Sequence, residues 1–214
     1  VRPELRPAIL HLDDDLVVVD KRSGQLSATA PGQDRPDLAS SLEAELGGRI
    51  WVVQRLDFAT SGVLLYARSS EANRELSRTM QAHAIEREYV AVLEGEAELP
   101  EGRARVEAPV RGRPAVTHFT FDERIGPATM PLATVTRCRL ETGRTHQIRK
   151  HARRIGSFVL GDQRHGTRTN HDPPRLALHA SRLALRHPTK GTELEFRSAL
   201  PPDLDEWLAA LRRF

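Results

Sequence analysis

The segment Val53-Gln54-Arg55-Leu56-Asp57-Phe58-Ala59-Thr60-Ser61-Gly62, running on into Val63-Leu64-Leu65-Tyr66-Ala67, sets a lone carboxylate between two apolar runs. Trp51 to Val53 and Val63 to Tyr66 are β-formers, so the polar residues between them read as a short loop mounted on strands. Catalytic groups are commonly carried this way, on a loop held by a rigid scaffold. The same letters also describe an ordinary turn, because Asp, Thr and Ser oxygens readily bond nearby backbone N–H groups. Outward from this loop, short strands and helices alternate without a regular βαβ rhythm. That pattern implies an α+β fold with a largely antiparallel mixed β-sheet core and flanking helices and loops.

Gln54-Arg55-Leu56-Asp57 with Thr60-Ser61-Gly62 resembles the H-R-L-D-x-x-T-S-G signature of the RluA-type family of pseudouridine synthases, enzymes that isomerise uridine in structured RNA. Leu140-Glu141-Thr142-Gly143-Arg144-Thr145-His146-Gln147-Ile148-Arg149 is similar to that family's second long motif, in the expected order and separation. The resemblance implies the pseudouridine synthase catalytic fold over residues 1–214 as one domain, with no separate N-terminal RNA-binding domain. The catalytic domain would then supply most of its own RNA contacts. Two departures stand out: Gln54 replaces the family's usual histidine, and Arg22 replaces proline in Lys21-Arg22-Ser23-Gly24, which should loosen that turn.

Composition bounds the alternatives. Of 214 residues, 39% are hydrophobic and 29% charged, as in a globular chain with a sizeable core. No run approaches the roughly 20 apolar residues of a membrane span and no signal-peptide core precedes the first strand. The single cysteine, Cys138, rules out an internal disulfide framework and fits a reducing compartment, so the cytoplasm is expected; a monomer is expected as well. The net charge of +3 is modest, but Arg144, Arg149, Lys150, Arg153 and Arg154 fall together with no acid among them. Such a cluster reads either as a polyanion site or as a solvated helix face.

Along the chain, Leu5 to Leu10 and Leu16 to Val19 read as strands around the turn Asp13-Asp14-Asp15. Ser27 to Asp37, with its prolines and Gly32, reads as a loop. Leu38, Leu42 and Leu46 predict a helix over Asp37 to Leu46, and Ala72, Leu76 and Met80 another capped by Ser69 or Ser70. Glu86 to Leu93, Val116 to Phe121 and Ala133 to Leu140 read as strands, with a loop over Asp122 to Pro131. Ile148, Ala152 and Ile155 predict a helix to about Arg154, whose free N–H groups beside Arg144 would favour an anion. Leu160 to Pro174 is a polar loop, Leu176 to Ala180 and Leu183 to Arg186 read as strand, and Leu204, Trp207, Leu208 and Leu211 mark a closing helix.

Isomerising uridine breaks the bond from ribose to uracil N1 and rejoins the base through C5. No atom is lost and nothing is oxidised, so no cofactor is required. The resemblance assigns the group acting at the ribose to Asp57, its guanidinium partner to Arg149 and the residue on the uracil to Tyr89, in Arg87-Glu88-Tyr89. A guanidinium beside a partly desolvated carboxylate keeps it ionised. Reaching the uridine requires flipping it out of the RNA. Arg55 is the candidate to fill the gap, with Gln54, Arg144, His146, Lys150 and Arg153 as further RNA contacts. No metal is expected: His146 and His151 lie about 140° apart on a helix, and no cysteine pair exists. Ribosomal RNA and tRNA stem-loops are equally open as substrates. The rival reading is a non-catalytic RNA-binding or ribosome-assembly factor, which would have no use for the Asp57 carboxylate.

Overall fold

The computed structural model describes residues 7–29, 35–127 and 129–214. In chain order the strands are β1 (Ala8–Leu12), β2 (Leu16–Lys21), β3 (Trp51–Val52), β4 (Ser61–Ala67), β5 (Glu86–Glu94), β6 (Arg103–Glu107), β7 (Val116–Ile125), β8 (Ala133–Leu140), β9 (Leu178–Arg186) and β10 (Glu193–Arg197). The helices are α1 (Leu38–Leu46), α2 (Ser70–Gln81), α3 (Gln147–Ala152) and α4 (Pro202–Leu211). They form two compact units, one of the residues up to Glu86 with Arg182–Ser198, the other of Arg87–Ser181 with Ala199–Phe214. Each joins antiparallel strands to helices, so the architecture is α+β. Among the described residues, no helix is long and apolar enough to cross a membrane.

In the first unit, β2 pairs antiparallel with β1 and β4, in a register that sets Leu16 opposite Ala67 and Lys21 opposite Gly62. Leu16 to Val19 and the whole of β4 are buried, which is why both read as continuous apolar runs rather than alternating ones. Leu16, Val18, Val63 and Leu65 meet Ala72 and Leu76 of α2 and Leu183 and Leu185 of β9 in one core. Each fully buried aliphatic side chain there contributes about 1.5–3 kcal/mol. The helix starts follow their capping residues. Asp37 accepts from the Ser40 N–H at 2.8 Å and Ser69 Oγ from the Ala72 N–H at 3.1 Å.

The predicted strand from Leu5 lies partly outside the described residues, and β1 begins at Ala8. Part of the Ser27 to Asp37 loop also lies outside them. β10 was not predicted; Glu193 to Arg197 alternates with period two and pairs with Arg182 to Arg186 of β9. The two segments read around Ser181 belong to one strand, β9, within which Arg182 pairs with Glu86 and Glu195 at 2.8 and 2.7 Å.

In the second unit, β8 pairs with β5 and β7, and β6 with the outer side of β7. The loop predicted from Asp122 starts later, since β7 runs on to Ile125 past a bulge between Phe121 and Glu123. Three consecutive charges, Asp122-Glu123-Arg124, hide that extension from an apolar pattern, yet Ile125 is buried and its carbonyl accepts from the Leu132 N–H at 2.8 Å. α4 buries Leu204, Leu208 and Leu211, and Trp207 Nε1 donates to the His171 carbonyl at 3.1 Å.

The acidic turn between β1 and β2 is a tie rather than a solvated charge run. Asp13 Oδ1 accepts from the N–H groups of Asp15 and Leu16 at 2.9 and 2.8 Å. Its Oδ2 meets His187 Nε2 at 2.9 Å and Lys190 Nζ at 2.8 Å. Partial burial pushes the Asp13 pKa up, but Lys190, His187 and the two N–H groups outweigh it and hold the carboxyl below its usual range. A lowered native pKa gives stability that is present above the unfolded value of about 3.9 and lost as pH falls. Asp13→Ala should cost about 1–3 kcal/mol at pH 7. Urea melts should show the gap from wild type narrowing below about pH 4.

Candidate active site

Residues 53–60 carry no regular structure and end in a turn closed by the Thr60 N–H on the Asp57 carbonyl at 3.0 Å. The backbone on both sides of Asp57 is pinned by the segment that follows β2. Buried Lys21, 1% exposed, donates through Nζ to the carbonyls of Arg22, Gln25 and Phe58 at 2.9, 2.8 and 3.2 Å. The Phe58 carbonyl also accepts from the Gly24 N–H at 2.8 Å, and Ser23 Oγ donates to the Ala59 carbonyl at 2.9 Å. On the other side, Ser27 Oγ accepts from the Leu56 N–H at 3.1 Å and lies 3.0 Å from the Leu56 carbonyl. Tyr66 Oη of β4 fixes Ser27 in turn at 2.7 Å.

Asp57 is therefore half-buried on a loop whose neighbours are tied down. Leu56 is buried, Gln54 is half-buried, and Arg55 and Phe58 are exposed, Phe58 to 57%. The exposed aromatic beside Asp57 was not singled out in the sequence. Its signal was an apolar residue at a loop tip, where burial is not expected. Arg22 adds one tie to its turn: its N–H, which a proline lacks, donates to Gln25 Oε1 at 3.1 Å.

In the second unit, Tyr89 lies on β5 opposite Cys138 and is 8% exposed. Burial pushes the Cys138 thiol up to about 12, which leaves it inert. Arg87, two residues before Tyr89, is buried against the turn that precedes α3 and donates to the Glu141 carbonyl at 3.0 Å. A Cβ on Gly143 would come within 2.7 Å of its guanidinium, so a larger residue there would push the Arg87 side chain aside.

The start of α3 is built by Gln147. Its Oε1 accepts from Thr142 Oγ1 at 2.7 Å and from the Arg144 N–H at 3.0 Å, while Nε2 donates to the Val116 carbonyl and Thr117 Oγ1 at 2.9 and 3.0 Å. The predicted free donors beside Arg144 are thus partly consumed within the protein, since the Gln147 N–H also bonds the Arg144 carbonyl at 3.0 Å. The helical segment stops at Gly156 as expected, but its last turn is 3-10. α3 ends at Ala152, a 3-10 turn covers Arg153–Ile155, and Gly156 closes it at φ +71°.

Arg149 projects from α3 onto Asp162 in a two-pronged pair, Nε to Oδ2 at 2.7 Å and Nη2 to Oδ1 at 2.6 Å. Asp162 Oδ1 also accepts from the N–H groups of Arg164 and His165, both at 3.0 Å. Burial raises the Asp162 pKa, and Arg149 with those two N–H groups more than reverses this, so it stays ionised. The same loop returns to α3 twice more: His146 Nδ1 and His165 Nε2 are 2.8 Å apart, and Arg153 Nη1 donates to the His165 carbonyl at 2.8 Å. Arg144 Nε donates to the Pro114 carbonyl at 3.1 Å, Lys150 is half-buried and Arg153 is exposed. His146, Arg149, Asp162, His165 and Arg153 are thereby gathered at one place in this unit. His151 is not among them, being buried with Thr117 Oγ1 at 2.9 Å and the Ala108 carbonyl at 3.0 Å. Asp162 and His165 were missed as site residues, because an ion pair across a loop leaves no periodic trace.

These features define an α+β protein with a loop-mounted aspartate and a helix-borne arginine held by a buried carboxylate. The family model described as RNA pseudouridylate synthase matches residues 15–154, and the chain belongs to that family, whose members are isomerases acting on RNA. It is 35% identical to ribosomal large subunit pseudouridine synthase D of Nitrosomonas europaea, over 95% of this chain and 65% of that protein. It is 34% identical to an uncharacterised RNA pseudouridine synthase of Bacillus subtilis, over 96% of this chain and 73% of that protein. The chain thus spans about two thirds to three quarters of these relatives' lengths. The solved structure of human RNA pseudouridylate synthase domain containing 1 shares the fold, with a TM-score of 0.72 at 24% identity over 98% of this chain and 96% of that one.

Asp162→Ala would leave the Arg149 guanidinium, 10% exposed, without that carboxylate. A loss of about 3–5 kcal/mol is expected, measured as a lower urea midpoint, with Asp162→Asn retaining part of it.

Proposed function

We propose that this chain isomerises specific uridines in structured RNA to pseudouridine as a single catalytic module, with Asp57 acting at the ribose. The observation that carries the reading is the pinned loop. A carboxylate that must meet a sugar carbon in a fixed geometry gains most from a backbone that cannot shift, and both neighbours of Asp57 are bonded to the Lys21 to Ser27 segment. Arg149 is the guanidinium that would partner the acting carboxylate, and Tyr89 the residue that would stack on or hydrogen-bond the uracil and relay the C5 proton. Exposed Arg55 and Phe58 suit the flipping step, since a guanidinium plane or an aromatic ring can stack in the place of the departed base. Gln54, Arg144, His146, Lys150 and Arg153 would contact the backbone nearby.

The names of the relatives favour large-subunit ribosomal RNA over tRNA as the substrate. The cytoplasm is the corresponding compartment, and a monomer suffices because each proposed role falls on this chain.

The test is tritium release from RNA labelled at uridine C5 and drawn from cells lacking this protein, incubated with chelator. Wild type should release tritium and Asp57→Asn should release none while still binding RNA. Release by the variant would remove Asp57 from the chemistry. Binding without release by either would favour the non-catalytic RNA-binding reading. For the basic helix, Arg153→Ala should weaken RNA binding and reduce the salt slope by about 1. An unchanged slope in filter binding would take that residue off the RNA surface.

A further inference from the structure

The second unit carries a cationic concavity that none of the roles above uses. Thr117 turns its hydroxyl toward α3, where it meets Gln147 and His151, so the alternation of β7 sends His118 and Thr120 to the opposite side of the sheet. On that side the register aligns Arg105, His118 and Arg139 in one row and Arg103, Thr120 and Arg137 in the next. β6 and β8 are two strand spacings apart, about 10 Å, and successive outward residues about 7 Å apart along a strand. Four arginine stems therefore stand at the corners of a small rectangle, with an imidazole and a hydroxyl at its centre. They line an open concavity of about 450 Å³ whose lining includes a single acid, Glu88.

A solvated sheet face would mix signs, since like charges at such distances repel. Here the compensation is weak. Arg105 pairs with Glu107, and Arg137 with Asp122 at 3.3 Å, all of them well exposed. Exposed pairs of this kind are worth little and exchange readily for a better anion. Glu141 is engaged by His118 at 2.5 Å. Arg103 and Arg139 make no ion pair among the described residues.

We propose that this face of the β6–β7–β8 sheet, turned away from α3, is a second RNA site that binds the phosphodiester backbone of the substrate. The proposal rests on the reading of this chain as an RNA enzyme for its choice of polyanion. The guanidinium forks suit phosphate oxygens, Thr120 adds a hydroxyl, and Phe119 in the lining is only 1% exposed, so contact would be to backbone rather than base.

The test uses the full chain with in vitro transcribed large-subunit ribosomal RNA and, separately, heparin as a plain polyanion. Arg103→Ala/Arg139→Ala should weaken RNA binding several-fold at physiological salt and make the slope of log K against log salt shallower by about 1 to 2. The matching double lysine variant should keep most of the slope, and an unchanged circular dichroism melt would show that the alanine variant folds. Unchanged RNA affinity and slope would overturn the proposal, as would a loss confined to heparin. Tritium release separates this proposal from the catalytic one. Wild type that releases none while the slope still falls would refute catalysis and keep the site. Release by wild type with an unchanged slope in the variant would do the reverse.

Discussion

The ammonium of Lys21 is the constraint on which the first unit's functional loop depends. It lies buried at the end of β2 and donates to three carbonyls, two in its own turn and one on Phe58. A buried charge persists only where its donors are satisfied, and each of those carbonyls loses a donor if the ammonium moves away, the Phe58 carbonyl keeping only the Gly24 N–H. Turn and loop therefore fix each other. Gln25 closes the turn through the Arg22 N–H, and Ser27 repeats the arrangement on the far side of Asp57 through Leu56. The carboxylate is presented by local hydrogen bonds that begin in a strand 36 residues earlier in the chain and end in the strand that follows it.

A comparable economy holds α3 in the second unit. Six residues form a marginal helix, and its N-cap position, His146, has a left-handed backbone at φ +57° with no side-chain cap. Stability comes from tertiary bonds instead: the Gln147 amide spans the preceding turn and β7, His151 is wedged between Thr117 and Ala108, and Arg149 is clamped by Asp162. Strain at one backbone position is thus outweighed by four side chains whose geometry is over-determined. This is also why the helix presents basic residues without being a simple anion-binding N-terminus.

What the sequence disclosed follows the same division between local and tertiary causes. The buried runs of β2 and β4, the helix start near Asp37, a cap at Ser69 or Ser70 and the stripe of Ala72 and Leu76 are local patterns, and they were legible to within a residue or two. The loop of Asp57 was legible from the apolar runs on either side of it, and the roles of its residues only through resemblance. The end of β7 was not, since its bulge shifts the pairing and its residues are charged. Asp162 lies 13 residues from Arg149, and nothing in either neighbourhood specifies the other. The arginine rectangle is the extreme case: Arg103, Arg105, Arg137 and Arg139 become neighbours only through the register of three strands.

The preference for arginine, with only Lys21, Lys150 and Lys190 among 32 basic residues, could be put down to composition, but the geometry separates the two side chains. Arginine occupies places where one planar fork meets both oxygens of a carboxylate: Arg149 on Asp162, Arg175 on Asp203, Arg212 on Glu123 and Arg78 on Glu75. Lys21 occupies a place where three carbonyls converge on one point from different directions, which an ammonium with three rotatable donors satisfies and a flat guanidinium does not. Exchanging the two is therefore not conservative in either direction. Lysine at position 149 would lose one prong and the fixed orientation of the pair, and arginine at position 21 would have to force its plane into the pocket that orders the Asp57 loop.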